Sequence, residues 1–346
     1  MPDGATFGFA HRSHCSVKES ATESALISII VPVFNEQGCL ADCLDSLLNL
    51  DYPAHQREII VVDNNSSDNS AHIIKNYPVR YVFEPRRGAA AARNSGAAKA
   101  RGEILAFVDA DCLVHEDWLE EICRVLADPS VDAVMGVSEG IAGNIWADFR
   151  QRQVESLLAE ARAEAHNLSR ATTTSFAIRK NVFVESGGFD TSFFRAHDVE
   201  FSIRLHRRGY NIVLGPRVRV RHIHPTSLSE IEETRKLQGF FTYKIAKKHD
   251  ADLQQEYLPE FSRWYYRFIL SRGGYWNKVL SVFACSLQFL ITSSTTLLES
   301  LHRFGFQQGL YPLFCFTIDA NFLRGKILAR LSEADDTKIS VSEQKV

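Results

Sequence analysis

Three short apolar runs constrain this chain more than any other feature: LISIIVPVF from Leu26, REIIVVD from Arg57 and EILAFVD from Glu103. Each is dominated by β-branched or aromatic residues and lacks polar alternation, the pattern of a strand covered on both faces. Between the first two, Leu40, Cys43, Leu44, Leu47 and Leu48 recur at helical spacing, and NSAHIIKNY and GAAAARNSGAAKARG also read as helices. Alternating strands and helices predict an α/β domain with a doubly wound, mostly parallel sheet flanked by helices. Ligands of such sheets bind beyond the carboxyl ends of the strands. Here those ends are polar: Asn35-Glu36, Asp63-Asn64-Asn65-Ser66 and Asp109-Ala110-Asp111.

Further along, a helix is expected over roughly 146–167, a tight turn at Gly187-Gly188, a helix through HDVEFSIRLHRRGY closed by Gly209, and one or two strands in NIVLGPRVRVRHIH. Beyond Ser227 the pattern is helical and aromatic-rich. Val279 to Leu298 contains no charged residue, close to the roughly 20 residues that cross a bilayer. Its Ser, Thr and Gln content favours a buried or interfacial helix over a span, with Val279, Val282, Phe283, Phe289 and Leu290 on one face. Trp264, Tyr265, Tyr266, Tyr275 and Trp276 suit either a lipid-linked acceptor or core packing. The expected organisation is a polar tail over 1–25, an α/β domain over 26–228, a helical region over 229–331 that contacts a membrane peripherally, and a second tail over 332–346.

Composition narrows the function. With 45% hydrophobic and 23% charged residues the chain is globular, and a net charge of -3 gives no reason to expect nucleic acid as a partner. From Arg179 to Arg221 basic residues outnumber acids, which suits a phosphate-bearing ligand, an anionic membrane surface or a solvated face. Seven cysteines without a CxxC pair point to reduced thiols rather than zinc or disulfides. The first two dozen residues lack the apolar stretch of a secretory signal. A cytoplasmic protein, at most at the cytosolic face of a membrane, is expected.

If the backbone stays extended through Asp109-Ala110-Asp111, both carboxylates share a side. Two hard oxygen ligands there suit Mg²⁺ or Mn²⁺, which bridge protein carboxylates and substrate phosphates. The other reading is an acidic turn capping the helix expected near Glu116.

VPVFNE, EIIVVDNNSSDNS, GAAAARNSGAAKARGEILAFVDAD and GGFDTSFFRAHDVEFSIRLHRRGY occur in one order. Together they resemble family 2 of the glycosyltransferases over roughly Ile27 to His224. The resemblance implies a GT-A fold with a helical C-terminal extension. It also implies a metal-dependent, inverting transfer of a sugar from a nucleotide-diphosphate sugar to the hydroxyl of a glycan or lipid-linked acceptor. It places Pro32, Phe34 and Glu36 along the nucleoside, Asp63 on the base, and Arg93 beside the donor with Gly88 and Asn94. Asp109 is assigned to the ribose or the metal, Asp111 to the metal and Asp198 to the general base, with Glu200 in reserve. His222, or else His224, is a further metal ligand. Four bland alternatives stand beside these roles: Asp63 capping the helix near Asp68, Glu36 capping the first helix, Arg93 as an exposed helix charge, and Asp198 as a helix cap. Gly96 reads as a packing residue.

Two departures stand out: Cys112 where many relatives continue with Asp, and His197 where relatives carry Glu. His197 also leaves open a non-catalytic sugar-nucleotide-binding or scaffold protein. A dinucleotide-dependent oxidoreductase is excluded because no G-x-G-x-x-G follows the first strand, and a P-loop enzyme because no G-x-x-x-x-G-K-S/T occurs.

Overall fold

The computed structural model describes residues 26–141, 143–164, 168, 170–249, 275–303 and 310–334. The expected N-terminal tail, most of the C-terminal tail, and Trp264, Tyr265 and Tyr266 lie outside these residues. The core of the fold is an eight-stranded sheet in the order β3-β2-β1-β4-β7-β6-β8-β5. Strands β1 (Ile27–Val33), β2 (Arg57–Asp63), β3 (Arg80–Phe83) and β4 (Ile104–Val108) run parallel. The second half is mixed: β7 (Ser175–Arg179) is antiparallel to β4 and to β6 (Ala133–Ile141), β8 (Ile212–Ile223) is parallel to β6, and β5 (Cys112–Val114) is antiparallel to β8.

The unalternated runs are explained by two cores. Ile29, Val31 and Val33 face one side, against Leu40, Cys43, Leu44 and Leu47 of α1 (Leu40–Leu48) and Trp118 and Ile122 of α4 (Trp118–Leu126). Ile30, Ile60 and Val62 face the other, against Ala92 and Ala97 of α3 (Ala89–Lys99) and Phe201 and Leu205 of α7 (His197–Arg207). Successive side chains thus enter opposite cores, so the strand interiors are apolar on both faces, with Ser28 and Glu58 hydrogen-bonded to each other as the buried polar pair. Gly96 has the packing role expected of it, because a Cβ there would lie 2.6 Å from Ile30 Cγ2.

Strand lengths open a crevice. β1 pairs with β2 from Ile27 to Val33, but with β4 only from Ile27 to Ile30. Pro32, which has no N–H to donate, occupies β1 beyond the reach of β4. At that point the chain leaves β4 into Asp109.

Three long helices complete the described structure: α8 (Leu228–His249), α9 (Tyr275–Arg303) and α10 (Leu310–Ala334). α8 and α10 meet backbone to backbone, since a Cβ on Gly239 would lie 1.8 Å from Phe322 O and one on Gly325 1.9 Å from Lys236 O. Trp146 and Phe149 of α5 (Ile145–Glu164) pack with Ile231, Phe314 and Ile318, joining the three helices to the α/β domain. The apolar run is two-sided. Ala284, Leu287, Ile291, Ser294 and Leu298 are buried, whereas Val282, Phe283, Phe289 and Leu290, expected on one face, are on the exposed side, with Phe289 73% exposed. By length and composition 281–303 is sufficient to cross a membrane.

Candidate active site

The Asp109-Ala110-Asp111 segment is a tight turn and not the extended backbone that the spacing suggested. Cys112 N–H donates to Asp109 O at 3.1 Å, and β5 begins immediately. The turn nevertheless gathers the two carboxylates because β5 pairs with β8. Cys112 stands directly opposite His222 in that ladder, and Ile223 N–H donates to Asp111 O. This register brings His222 Nε2 to 3.1 Å from Asp111 Oδ2. His224 bonds instead with Gln151 Oε1 at 2.8 Å, so His222 is the histidine at the carboxylates. Neither aspartate caps α4, which starts at Trp118 without a side-chain cap.

Cys112 is buried beneath this group, its S–H pointing at Asp111 Oδ1 across 3.4 Å. Burial and the adjacent Asp111 and Asp109 push its thiol well above the ordinary cysteine range, so it stays a neutral donor. Ligating atoms of Asp111, Cys112 and His222 lie within 4.8 Å of one another. Hard carboxylate oxygens beside an imidazole suit Mn²⁺ or Mg²⁺.

The charges support a cation. Burial, with Asp111, Asp109 and Asp68 nearby, raises Glu36 to about 7. Burial also pushes Asp109 up against the opposing charge of Arg93. For Asp111, burial is outweighed by the hydrogen bond and charge of His222, which hold it below the usual aspartate range. Glu36, Asp109 and Asp111 act on one another electrostatically, a repulsion that a divalent ion would relieve.

Arg93 joins this group to the second half of the domain. It is 3% exposed rather than a surface charge, and its Nη2 pairs with Asp109 Oδ1 while Nη1 lies 2.7 Å from His197 Nε2. Burial and the charges of Arg93 and Arg195 push His197 well below the ordinary histidine range. The imidazole is therefore neutral and accepts through Nε2, leaving Nδ1 to carry the proton; buried Nδ1 has no partner among the described residues. Asp198 follows in the first turn of α7, accepting the Val199 N–H at 2.9 Å, and burial raises its pKa. The chain enters this helix through Ala196 in a left-handed conformation, φ 58°.

Glu200 is not available as a base. It is fully buried, pairs with Arg204, and takes hydrogen bonds from Lys248 at 2.7 Å and His249 at 3.1 Å at the end of α8. This ion cluster ties α7 to the helical region.

On the first half, Asp63 is buried at the end of β2; Oδ1 accepts Ser66 N–H at 3.0 Å and Oδ2 accepts Tyr81 O–H at 3.1 Å. It does not cap α2 (Ser70–Lys75), whose first N–H bonds Asp68. The Glu36 carboxylate does not cap α1 either; it receives the Cys39 S–H at 3.3 Å. Phe34 lies under Arg87, whose Cζ is 3.3 Å from the ring centroid. Sequence reasoning missed Asn64, which donates to Glu84 O and Arg86 O and accepts from Gly88 N–H, pinning the loop that leads into α3. Gly88 adopts φ 121°, a region that disfavours side chains. Asn94 likewise bonds both backbone groups of Phe189, holding the Gly187-Gly188 turn against α3.

Pro32, Phe34, Glu36, Asp63 and the 109–111 turn thus follow or end β1, β2 and β4 along one rim, with Arg93, His197 and Asp198 adjoining through Asp109. Residues 28–193 match the family model described as glycosyl transferase family 2. The chain is 29% identical over 198 residues to glycosyltransferase AglE of Haloferax volcanii, covering 54% of this chain and 63% of that protein. It is 25% identical over 208 residues to the dolichyl N-acetyl-α-D-glucosaminyl phosphate 3-β-D-2,3-diacetamido-2,3-dideoxy-β-D-glucuronosyltransferase of Methanococcus voltae, covering 56% and 65%. The chain therefore spans less than two thirds of the length of these curated relatives. Among solved structures, mannosyltransferase PcManGT from Pyrobaculum calidifontis, in complex with GDP-Man and Mn²⁺, superposes with a TM-score of 0.61 at 22% identity, covering 91% of this chain and 89% of that one. The two share the fold.

Proposed function

Because residues 28–193 belong to glycosyl transferase family 2, we propose that this chain transfers a sugar, with inversion, from a nucleotide-diphosphate sugar to the hydroxyl of a glycan or lipid-linked acceptor. One observation carries the reading: buried Arg93 bridges Asp109 of the carboxylate turn and His197, the residue before Asp198. A donor-side group and a base-side group are thereby held in one rigid arrangement.

In this reading Pro32, Phe34, Glu36 and Asp63 receive the nucleoside, and Asp109, Asp111 and His222 hold Mg²⁺ or Mn²⁺. When bound, that ion neutralises charge developing on the departing nucleoside diphosphate. Asp198 takes the proton of the attacking hydroxyl. Burial raises its proton affinity, while the amino end of α7 favours its carboxylate. His197, being neutral, adds no charge beside the base.

The exposed apolar side of α9, with Val282, Phe283, Phe289 and Leu290, supports peripheral contact at the cytosolic face of a membrane. The name of the Methanococcus voltae relative, which specifies a dolichyl-linked acceptor, supports the same reading.

Calorimetric titration with UDP-, GDP- and dTDP-sugars, with and without Mn²⁺, followed by a product assay, tests the proposal. Metal-dependent binding of one donor with turnover supports it. Binding without turnover across an acceptor panel favours a non-catalytic sugar-nucleotide-binding protein.

A further inference from the structure

The helix that carries Asp198 starts at an insecure point. The chain enters α7 through Ala196 in a left-handed conformation, and an alanine at the N-cap offers no side chain to bond the first turn. A first turn without a cap leaves backbone N–H groups unpaired and frays readily. Asp198 stands on that turn, so its position depends on contacts from outside the helix.

Glu200, fully buried on the same turn, makes those contacts. Its carboxylate accepts Arg204 Nε–H at 2.9 Å from one turn further along α7. From the last turn of α8 it takes Lys248 Nζ at 2.7 Å, with His249 Nε2 at 3.1 Å. Burial would raise Glu200, but the hydrogen bonds of His249 and Lys248 and the charge of Arg204 hold it below the ordinary glutamate range, so it is an anion.

Lys248 has a second arm. Its Nζ also reaches Asp190 Oδ2 at 2.6 Å and lies 5.2 Å from the centroid of the Phe193 ring, both in the loop that leads into α7. Phe193 in turn packs with Ile203 of α7 and with Phe241 and Ile245 of α8. One ammonium group therefore holds the loop before Asp198 and the helix after it. The tie continues to the donor side: Arg204 donates to Ser186 O and Gly188 O, in the turn that Asn94, the neighbour of Arg93, holds against α3.

We propose that Lys248 is a positioning residue for the transfer: through Glu200 and Asp190 it keeps the first turn of α7, and with it Asp198, in place against the donor half of the site. The helical region is then part of the catalytic apparatus as well as a surface for membrane contact. The inference rests on the transferase reading above. A proton acceptor displaced by about 1 Å loses up to about 10²-fold in rate, so the effect falls on the transfer step and spares donor binding.

The test compares the full-length parent with Lys248→Met and Lys248→Arg. The Lys248 side chain is 38% exposed, so the Met variant keeps the packed core. Three quantities are measured: amide hydrogen exchange by mass spectrometry, calorimetric affinity for GDP and for UDP with Mn²⁺, and transfer kinetics. Lys248→Met should speed exchange over residues 196–202 about tenfold, leave Ile104–Val108 unchanged, keep nucleotide affinity within about twofold and lower kcat about tenfold or more without raising the donor KM. Lys248→Arg, which keeps the charge, should recover most of both losses. A residue that only adds stability would lower the melting temperature and leave kcat of the folded protein as it was. Unchanged exchange or unchanged kcat in Lys248→Met, equal losses in the Met and Arg variants, or a parallel fall in nucleotide affinity overturns the positioning role. Failure of the transferase reading looks different: the parent itself makes no product, and the exchange data still decide whether Lys248 holds the turn.

Discussion

Replacing Arg93 by Gln tests the join between the two halves of the site. Arg93 is 3% exposed and touches both Asp109 and His197. Its loss leaves Asp109, already pushed up by burial, facing Asp111 without its larger counter-charge, His222 being the smaller. Breaking a buried pair by removing one partner costs about 3–5 kcal/mol. Asp109 is 30% exposed, so solvent screening reduces this to about 2–3 kcal/mol. For a cooperative α/β unit of about 200 residues each kcal/mol moves the melting temperature by about 2–4 °C, giving a fall of roughly 4–12 °C in metal-free buffer. Because Mn²⁺ supplies the missing positive charge, the ion should stabilise the Gln variant more than the parent. Scanning calorimetry of both proteins with EDTA and with Mn²⁺ reads both effects. A variant that melts within 1 °C of the parent, or that gains no more from Mn²⁺ than the parent does, refutes the bridge.

Four other expectations follow from named contacts. Cys112→Ser should lower Mn²⁺ affinity only a few-fold in a titration, whereas Asp111→Asn should abolish it; equal losses would make the thiol a ligand. Gly325→Ala should destabilise the helical region by several kcal/mol, since the new methyl meets Lys236 O, and unchanged thermal unfolding would contradict the close crossing. Ala196→Gly should raise stability by up to about 1 kcal/mol in urea titration by relieving the left-handed conformation; destabilisation beyond the ordinary Gly penalty would argue against that strain. Lys326 sits near 7 in the folded protein and near 10.5 when unfolded. The unfolded chain thus binds the extra proton between these values, and stability rises with pH there by up to about 1.4 kcal/mol per unit. Lys326→Met should flatten that dependence, as measured by denaturation at pH 7 and 9.

Much of the site was legible because strand ends announce themselves. A β-branched run that stops in Asp63 or in Asp109-Ala110-Asp111 places polar side chains at the carboxyl edge of a parallel sheet, whatever the rest of the chain does. The mixed half was less legible. β7, β6 and β8 are joined by long segments whose direction no local pattern encodes, and the Cys112–His222 register is a contact between residues 110 positions apart. That register explains both the choice of His222 and the burial of Cys112, and neither follows from spacing. Glu200 misled for a related reason: its partners Lys248 and His249 come from α8, beyond the segment that carries the motif. The α9 run was read correctly as two-sided. Which side is buried depends on α8 and α10, whose glycine crossing at Gly239 and Gly325 leaves no periodic signature.

The central claim is that Asp198 acts as the base on a donor held independently of it. The most direct measurement compares donor affinity and transfer rate for the parent and Asp198→Asn with the same nucleotide sugar and Mn²⁺, following the product anomer by NMR. Donor affinity within about twofold, a transfer rate at least about 10²-fold lower, and inverted product from the parent are the expected results. Full transfer by Asp198→Asn, or retained anomeric configuration in the parent's product, would contradict it.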